Sequence, residues 1–217
     1  MPNWCNNTVE VSHTDKAKMF ALVEAINEGK FCNHVIPVPE DMHIVAGRVG
    51  DDTNPEQIEL EAKEKANLEK HGYSTWYDFC VNEWGTKWDV DPYNPVEFDD
   101  QWDKNNKITF GFDSAWAPPC GVYAALIDQG FAVRAYYYES GMAFCGIYDE
   151  NGDDYYEISD MSSTEVADAI PSVLDDMFGI SECIAEYEAE EEDEVQEWYE
   201  DGVNKLGLEP HKASNEN

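Results

Sequence analysis

A run of 53 residues, 149–201, contains 21 Asp and Glu side chains and no Lys or Arg. The other 164 residues hold 26 acidic and 13 basic side chains, so most of the formal net charge of −34 lies in the C-terminal quarter. Like charges at this density repel one another and oppose the formation of a compact domain. We infer that something other than folding accounts for the acidic run.

The charge also excludes classes of partner. A nucleic-acid backbone and an anionic membrane carry charge of the same sign, so neither is bound without help. We expect the partner to be a basic protein, and we expect no direct contact with nucleic acid or membrane. The sequence does not predict an oligomeric state.

The remaining composition indicates a folded, cytoplasmic protein. Hydrophobic residues make up 42% of the 217 residues and include 28 aromatic side chains, enough for the core of one domain or one and a half. The chain shows neither an export signal nor a stretch of about 20 apolar residues. Six cysteines occur without a Cys-x-x-Cys pair, which favours reduced thiols.

Hydrophobic periodicity predicts the element order β-α-β, insertion, β-α-β-β-β. The predicted strands cover residues 6–13, 31–38, 107–116, 131–139, 142–148 and 155–158, and the predicted helices cover residues 15–28 and 120–128. This order predicts an α+β fold of the ferredoxin-like type, with an antiparallel sheet and two helices on one face. The insertion, residues 40–106, is expected to contain helices and to cover one edge or one face of the sheet.

A C-terminal extension is predicted to follow this core. Ser162 and Glu165 form a capping-box pattern, Pro171 interrupts the helix that follows, and a second helix spans residues 181–205 with an apolar stripe that includes Tyr187 and Trp198. We therefore divide the chain into a core at 1–160, an acidic helical extension at 161–207 and a disordered tail at 208–217.

Four segments carry a resemblance to a known family: residues 2–7 (PNWCNN), 82–89 (NEWGTKWD), 112–119 (FDSAWAPP) and 138–146 (YESGMAFCG). Together they resemble the YubB-type ferredoxin-like family of bacteriophage and plasmid proteins. The resemblance implies a ferredoxin-like fold and a mobile-element origin, and therefore the cytoplasm of a host cell. The family has no established activity, so no catalytic residue is carried over, and the acidic extension departs from its pattern.

The first candidate site is a ligand pocket around residues 84–89. Trp84 and Trp88 would stack on a planar group, Lys87 and Asp89 would supply charges, and Trp116 would lie close by. The alternative is that the tryptophans pack against the sheet with Trp116 while Lys87 pairs with Asp89 or a neighbouring side chain. A further reading of the sheet places Phe110, Phe112, Tyr136 and Tyr138 on one base-stacking platform, which the acidic surroundings argue against.

The second candidate site is the acidic extension. Nine carboxylates fall between residues 186 and 200, or one per ~2.5 Å of helix, against one per ~1.7 Å of duplex DNA. We expect these rows to bind a basic partner as a nucleic acid would. The alternative is a solvated face. The predicted partner-binding residues are Asp175, Asp176, Glu186, Glu190, Glu191, Glu194, Glu197 and Glu200.

No metal, phosphate-loop or cofactor motif is found, so we expect no cofactor and no metal. Cys120, at a helix N-terminus, is the one candidate nucleophile, and the sequence does not show whether His13, His34, His43 or His71 lies near it as a base. We expect an inhibitory interaction protein of the anti-restriction or anti-CRISPR type, not an enzyme. The alternative is a binding module for a nucleotide or other small ligand, with a solubilising acidic tail.

Overall fold

An antiparallel sheet organises the N-terminal part of the computed structural model, which describes residues 3–98 and 106–206. Within those residues its strands are β1 Trp4–Ser12, β2 Lys107–Ala115, β3 Ala132–Glu139, β4 Phe144–Asp149 and β5 Gly152–Glu157, in the spatial order β2-β1-β3-β4-β5. Every neighbouring pair is antiparallel. The fold is α+β, as predicted.

The chain divides into two compact units, Met1–Ser159 and Asp160–Asn217. The first unit holds the sheet and the helices α1 Lys16–Asn27, α2 Phe31–Val35, α3 Pro55–His71, α4 Trp76–Phe79 and α5 Cys120–Asp128, together with a 3-10 turn at Glu40–Met42 and a π-helical turn at Cys80–Trp84. The second unit holds α6 Ser163–Ala169, α7 Ser172–Phe178 and α8 Ile180–Leu206.

Two helices cover one face of the sheet, and this prediction is confirmed. Val9 and Val11 of β1 point to that face and are buried in one cluster with Leu22 of α1 and with Val122 and Leu126 of α5. Strands β2 and β3 both lie antiparallel to β1, so they run parallel to each other on either side of it. The segment β2-α5-β3 is therefore a split β-α-β unit.

The first of the two predicted β-α-β units is wrong, because residues 31–35 form the helix α2 and not a strand. The carboxylate of Asp89 accepts hydrogen bonds from the backbone N–H groups of Cys32 and Asn33, at 2.7 and 2.9 Å. These groups belong to the first turn of α2, where N–H groups have no partner inside the helix. A cap supplied from more than 50 residues away thus overrides the strand-like local pattern.

The base-stacking platform, which the acidic surroundings argue against, is not formed by its four aromatic residues. Val9 is paired with Phe110 on β2, whereas its neighbour Thr8 is paired with Tyr136 on β3. Successive residues of a strand point to opposite faces, so Phe110 faces the helices while Tyr136 lies on the other side of the sheet. Phe112 shares the face of Phe110 and is fully buried.

The insertion covers part of the β2 edge, as predicted. Pro92 forms an isolated bridge with Phe112, and the Tyr93 N–H donates to the Gly111 carbonyl at 2.8 Å. An edge strand with free backbone groups is an aggregation hazard, which this pairing reduces.

The second unit begins with the predicted capping box. The Ser162 hydroxyl accepts from the Glu165 N–H while the Glu165 carboxylate accepts from the Ser162 N–H. The break at Pro171 separates α6 from α7, again as predicted. The predicted disordered tail, 208–217, lies outside the described residues. No helix in the described ranges is long and apolar enough to cross a bilayer.

Candidate functional site

Two of the predicted pocket residues, Trp84 and Asp89, hold the fold together. The Trp84 side chain is buried, and its indole N–H donates to the Ile36 carbonyl at 2.8 Å. Asp89 is partly buried and accepts a third backbone hydrogen bond, from Val90, besides the two from α2. Burial raises the pKa of Asp89, and the three N–H donors oppose that rise.

The segment between Trp84 and Asp89 is fixed against β2 and α5. The buried Thr86 hydroxyl donates to the Ala115 carbonyl and accepts from the Ala115 N–H, both at 3.0 Å. Gly121 lets α5 approach closely, because a Cβ atom there would lie 1.9 Å from the Glu83 carbonyl oxygen. These contacts, with the hydrogen bonds of Asp89, hold the backbone on either side of Lys87 and Trp88 and so position both residues.

Lys87 lies over three aromatic rings. Its ammonium is 4.5 Å from the ring centre of Trp88, 5.2 Å from that of Trp116 and 5.4 Å from that of Tyr77. Trp4 extends the group, with its ring centre 6.2 Å from that of Trp88. We call these five residues the Lys87 cluster. Lys87 thus makes cation–π contacts, and the alternative, an ion pair with Asp89 or a neighbour, is not found among the salt bridges of the described residues.

Trp116 stands in an uncommon backbone conformation. Its φ of +72° is in the left-handed region, which costs a bulky residue on the order of 1–3 kcal/mol. The Trp116 N–H donates to the Asn3 carbonyl at 2.9 Å, and this bond helps to hold the turn. The conformation leaves the Trp116 ring exposed beside Lys87 instead of buried under the sheet.

A cavity of about 300 Å³ opens beside the Lys87 cluster. Its walls include Trp76, Cys80, Trp84 and Trp88, and Cys80 and Trp84 are the first and last residues of the π-helical turn. Turns of this kind are rare and occur often at functional sites. Lys30, His43 and Lys87 also line the cavity.

Three aromatic residues of this site are not predicted from the sequence: Trp4, Trp76 and Tyr77. Trp4 is the first residue of β1 and is exposed, in a motif noted only for its family resemblance. Tyr77 and Trp76 are adjacent aromatic residues in α4, and such a pair signals that one ring lies outside the core. Their approach to Lys87 and Trp88 depends on tertiary structure.

The second candidate site, α8, carries carboxylates that face solvent. Glu186, Glu190, Glu191, Glu194 and Glu197 are all exposed. No Lys or Arg occurs between residues 149 and 201, so no neighbouring side chain in that segment neutralises them.

Other acidic residues of this unit have structural roles. The Asp175 carboxylate accepts from the N–H and hydroxyl of Ser181 at 2.7 and 2.6 Å, which caps the start of α8. The Glu188 carboxylate accepts from the N–H and hydroxyl of Ser163 at 3.0 and 2.6 Å. Asp176 is exposed. The side chain of Glu200 lies outside the described residues.

The apolar stripe of α8 is exposed as well. Tyr187 is 62% exposed, Val195 66% and Trp198 79%, and Tyr199 is also exposed. A helix of 27 residues is about 40 Å long, whereas α6 and α7, at seven residues each, span about 10 Å each. The two short helices therefore cannot cover the whole stripe. An exposed tryptophan on a free helix face is typical of a binding surface.

Cys120 is a poor nucleophile in this structure. Burial raises the pKa of the Cys120 thiol to about 12, and the nearby charge of Asp153 adds to the effect. The thiolate that nucleophilic chemistry needs is thereby disfavoured. Within the described parts of the chain, no group of three His, Cys, Asp or Glu side chains is placed to hold a metal ion.

Comparisons with known proteins find one distantly similar structure. No family model matches the chain, and no curated protein matches it. One solved structure, the protein api92 from Yersinia pseudotuberculosis, of the DUF1281 family, is similar over 72% of this chain and 98% of its own. The sequence identity is 12% and the TM-score 0.35, too low to carry an argument about fold or function.

Proposed function

We propose that this chain is an acidic interaction protein whose helix α8 occupies the nucleic-acid-binding groove of a basic protein. The observation that carries the proposal is the combination on α8 of exposed carboxylates with exposed Tyr187, Val195 and Trp198. The carboxylates would meet basic side chains that otherwise contact phosphates. The apolar stripe would meet the partner's apolar surface.

The apolar stripe separates this proposal from a solvated face. Carboxylates alone keep a helix soluble and need no partner. A large aromatic side chain gains nothing from contact with water, and tryptophan and tyrosine are enriched where interfaces derive most of their energy. Trp198 and Tyr187, on the same helix as the carboxylates, therefore favour a protein partner.

The dimensions of α8 suit a nucleic-acid groove. Its 27 residues span about 40 Å, the length of about 12 base pairs of duplex DNA. A basic groove binds both ligands by releasing counterions, so the two should compete, and the affinity for α8 should fall steeply with salt.

The resemblance of the four sequence segments to a family of mobile-element proteins supports a biological setting for this binding. A phage- or plasmid-encoded inhibitor would act in the host cytoplasm on a nucleic-acid-binding or defence protein, such as a restriction or CRISPR nuclease. Inhibition would need no catalytic residue.

The test combines capture with charge reversal. The full chain is immobilised and exposed to a bacterial lysate at low salt, and bound proteins are eluted with a DNA duplex of about 15 base pairs. We expect elution of a protein that itself binds this duplex. A variant with Glu190→Lys, Glu191→Lys, Glu194→Lys and Glu197→Lys should bind that protein about 100-fold more weakly, because four attractive charges become repulsive.

The matched control reverses four exposed acidic residues of the first unit, Glu24, Glu40, Glu69 and Asp128, and so changes the net charge by the same amount. It should bind as the wild type does. The proposal is contradicted if both variants lose binding equally, if the α8 variant still binds, or if no captured protein binds the duplex.

A further inference from the structure

The cavity beside the Lys87 cluster involves no described residue of α8. All of its lining residues lie between residues 30 and 89 in the first unit. Its floor is fixed: the Trp84 ring is held by the bond to Ile36, and Cys80 is buried. The exposed Trp88 forms an accessible wall. A site of this kind is preorganised, which lowers the entropic cost of binding.

The walls of the cavity favour a flat, apolar ligand. Three indole side chains, Trp76, Trp84 and Trp88, line it together with Val38 and Cys80. Aromatic walls favour ring systems that can stack on them or contact them edge to face. A cavity of about 150 Å³ holds one benzene ring, so the 300 Å³ present here suffice for about two fused rings.

The rim of the cavity favours a negative charge. Lys30 and Lys87 line it, and its one carboxylate, Asp89, already accepts three backbone hydrogen bonds. Lys87 forms none of the salt bridges found among the described residues and lies over aromatic rings instead. Lys30 pairs with Glu28 at 2.8 Å in an exposed pair. Such pairs contribute little, so Lys30 can turn to a ligand.

We propose that this cavity binds a small planar aromatic anion. The ring system lies between the indole side chains, and its carboxylate or phosphate meets Lys87 and Lys30 at the rim. Two lysines on an apolar cavity stand out in a chain with a net charge of −34, because the field of the whole protein repels anions. A preference for an anion must therefore come from the local site.

The test compares ligands of equal shape and opposite charge. Naphthoate and naphthylmethylammonium are titrated into the full chain by calorimetry, with adenosine monophosphate as a second anion. We expect naphthoate to bind at least about tenfold more tightly than the cation. Binding of adenosine monophosphate as well would indicate a nucleotide as the natural ligand, whereas binding of naphthoate alone would indicate an aromatic acid.

Two variants locate the site. Lys87→Met keeps the length of the side chain but removes the charge, and should weaken naphthoate binding about tenfold. Trp88→Ala removes an exposed wall and should weaken it similarly. Lys63→Met, on the exposed face of α3, is the matched control and should leave binding unchanged. The melting temperature without ligand shows whether each variant is folded.

Three results would overturn the proposal. They are equal or tighter binding of the cation, unchanged naphthoate affinity in Lys87→Met, and no binding of either anion. Equal or tighter binding of the cation would instead mark the three rings around Lys87 as a cage for cations. The fourfold Lys variant of α8 should keep its naphthoate affinity, which separates this site from the proposed function.

Discussion

The two units of this protein use their carboxylates in opposite ways. In the first unit, Asp89 accepts three backbone hydrogen bonds, and the buried Glu139 accepts from the N–H groups of Gly141 and Met142 at 2.9 and 2.6 Å. On α8, Glu190 and Glu194 are exposed in a segment without basic residues. Folding explains the first pair and leaves the second without a structural role.

The two units also differ in how they place the aromatic side chains Tyr123 and Trp198. Tyr123 of the first unit is fully buried, and its hydroxyl donates to the Asn7 side chain at 3.0 Å. The Asn7 amide in turn donates to Ser114 at 2.8 Å. Trp198 of α8 is 79% exposed. The first unit thus buries the Tyr123 side chain and pairs its hydroxyl, whereas α8 leaves an apolar stripe exposed, as the proposed binding surface requires.

The first prediction concerns the close packing of α5 against the π-helical turn and should give the greatest loss of stability. Gly121→Ala should lower the free energy of unfolding by about 3 kcal/mol, because the new Cβ would collide with the Glu83 carbonyl. Urea denaturation measures the change. Ala124→Gly in the same helix is the control and should cost only about 1 kcal/mol. Equal losses in the two variants would show that the close approach is unimportant.

The second prediction compares the two kinds of carboxylate directly. Asp89→Ala should cost about 2 kcal/mol of stability, because backbone N–H groups of α2 lose their acceptor. Glu190→Ala should change stability by less than about 0.5 kcal/mol. Thermal unfolding of both variants provides the comparison. A loss at Glu190 as large as that at Asp89 would remove the distinction between the two units.

The third prediction concerns repulsion along α8. Replacing Glu190, Glu191, Glu194 and Glu197 by Gln removes like-charge pairs at helical spacing, each worth about 0.2–0.5 kcal/mol. The variant should show more helix than the wild type by circular dichroism at low salt. The difference should vanish at about 1 M salt, where charges are screened within about 3 Å. A difference that persists at high salt would point to helix propensity instead.

The smallest expected effect is a pH dependence in the first unit. Hydrogen bonds from Lys70 and His71 lower the pKa of Asp41 from 3.8 to about 2. Because the folded-state value is the lower one, the stabilisation is present above pH 4 and is lost as the pH falls towards 2. Asp41→Asn should therefore be less stable than the wild type at pH 6 and equally stable near pH 2. Urea midpoints across this range measure the difference.

Much of the fold could be predicted from local signals. Helix α5 was predicted at residues 120–128 and is found there, and the Ser162 capping box fixes the start of α6. Helix α2 could not be predicted, because its cap comes from Asp89, far along the chain. The π-helical turn at Cys80–Trp84 has no signature in the periodicity, and the carbonyl of its Glu83 lies close to Gly121 of α5.

The candidate sites, too, could be predicted only where they depend on residues close together in the sequence. Lys87, Trp88 and Trp116 belong to one pocket predicted from the sequence, and the structure places the Trp88 and Trp116 rings beside the Lys87 ammonium. Trp84 and Asp89 belong to the same segment but hold the fold together, because the Trp84 ring is buried and the Asp89 carboxylate accepts backbone hydrogen bonds from α2. Sequence could not reveal that the α8 stripe is open, since exposure depends on the length of the helices packed beside it.

A displacement titration tests our proposal that α8 competes with nucleic acid for a basic groove. A fluorescent duplex of about 15 base pairs is bound to the captured partner, and its anisotropy is followed as this protein is added. We expect the wild type and the first-unit control to displace the duplex stoichiometrically. The fourfold Lys variant of α8 should displace none of it. A partner that holds this protein and the duplex at the same time would contradict it.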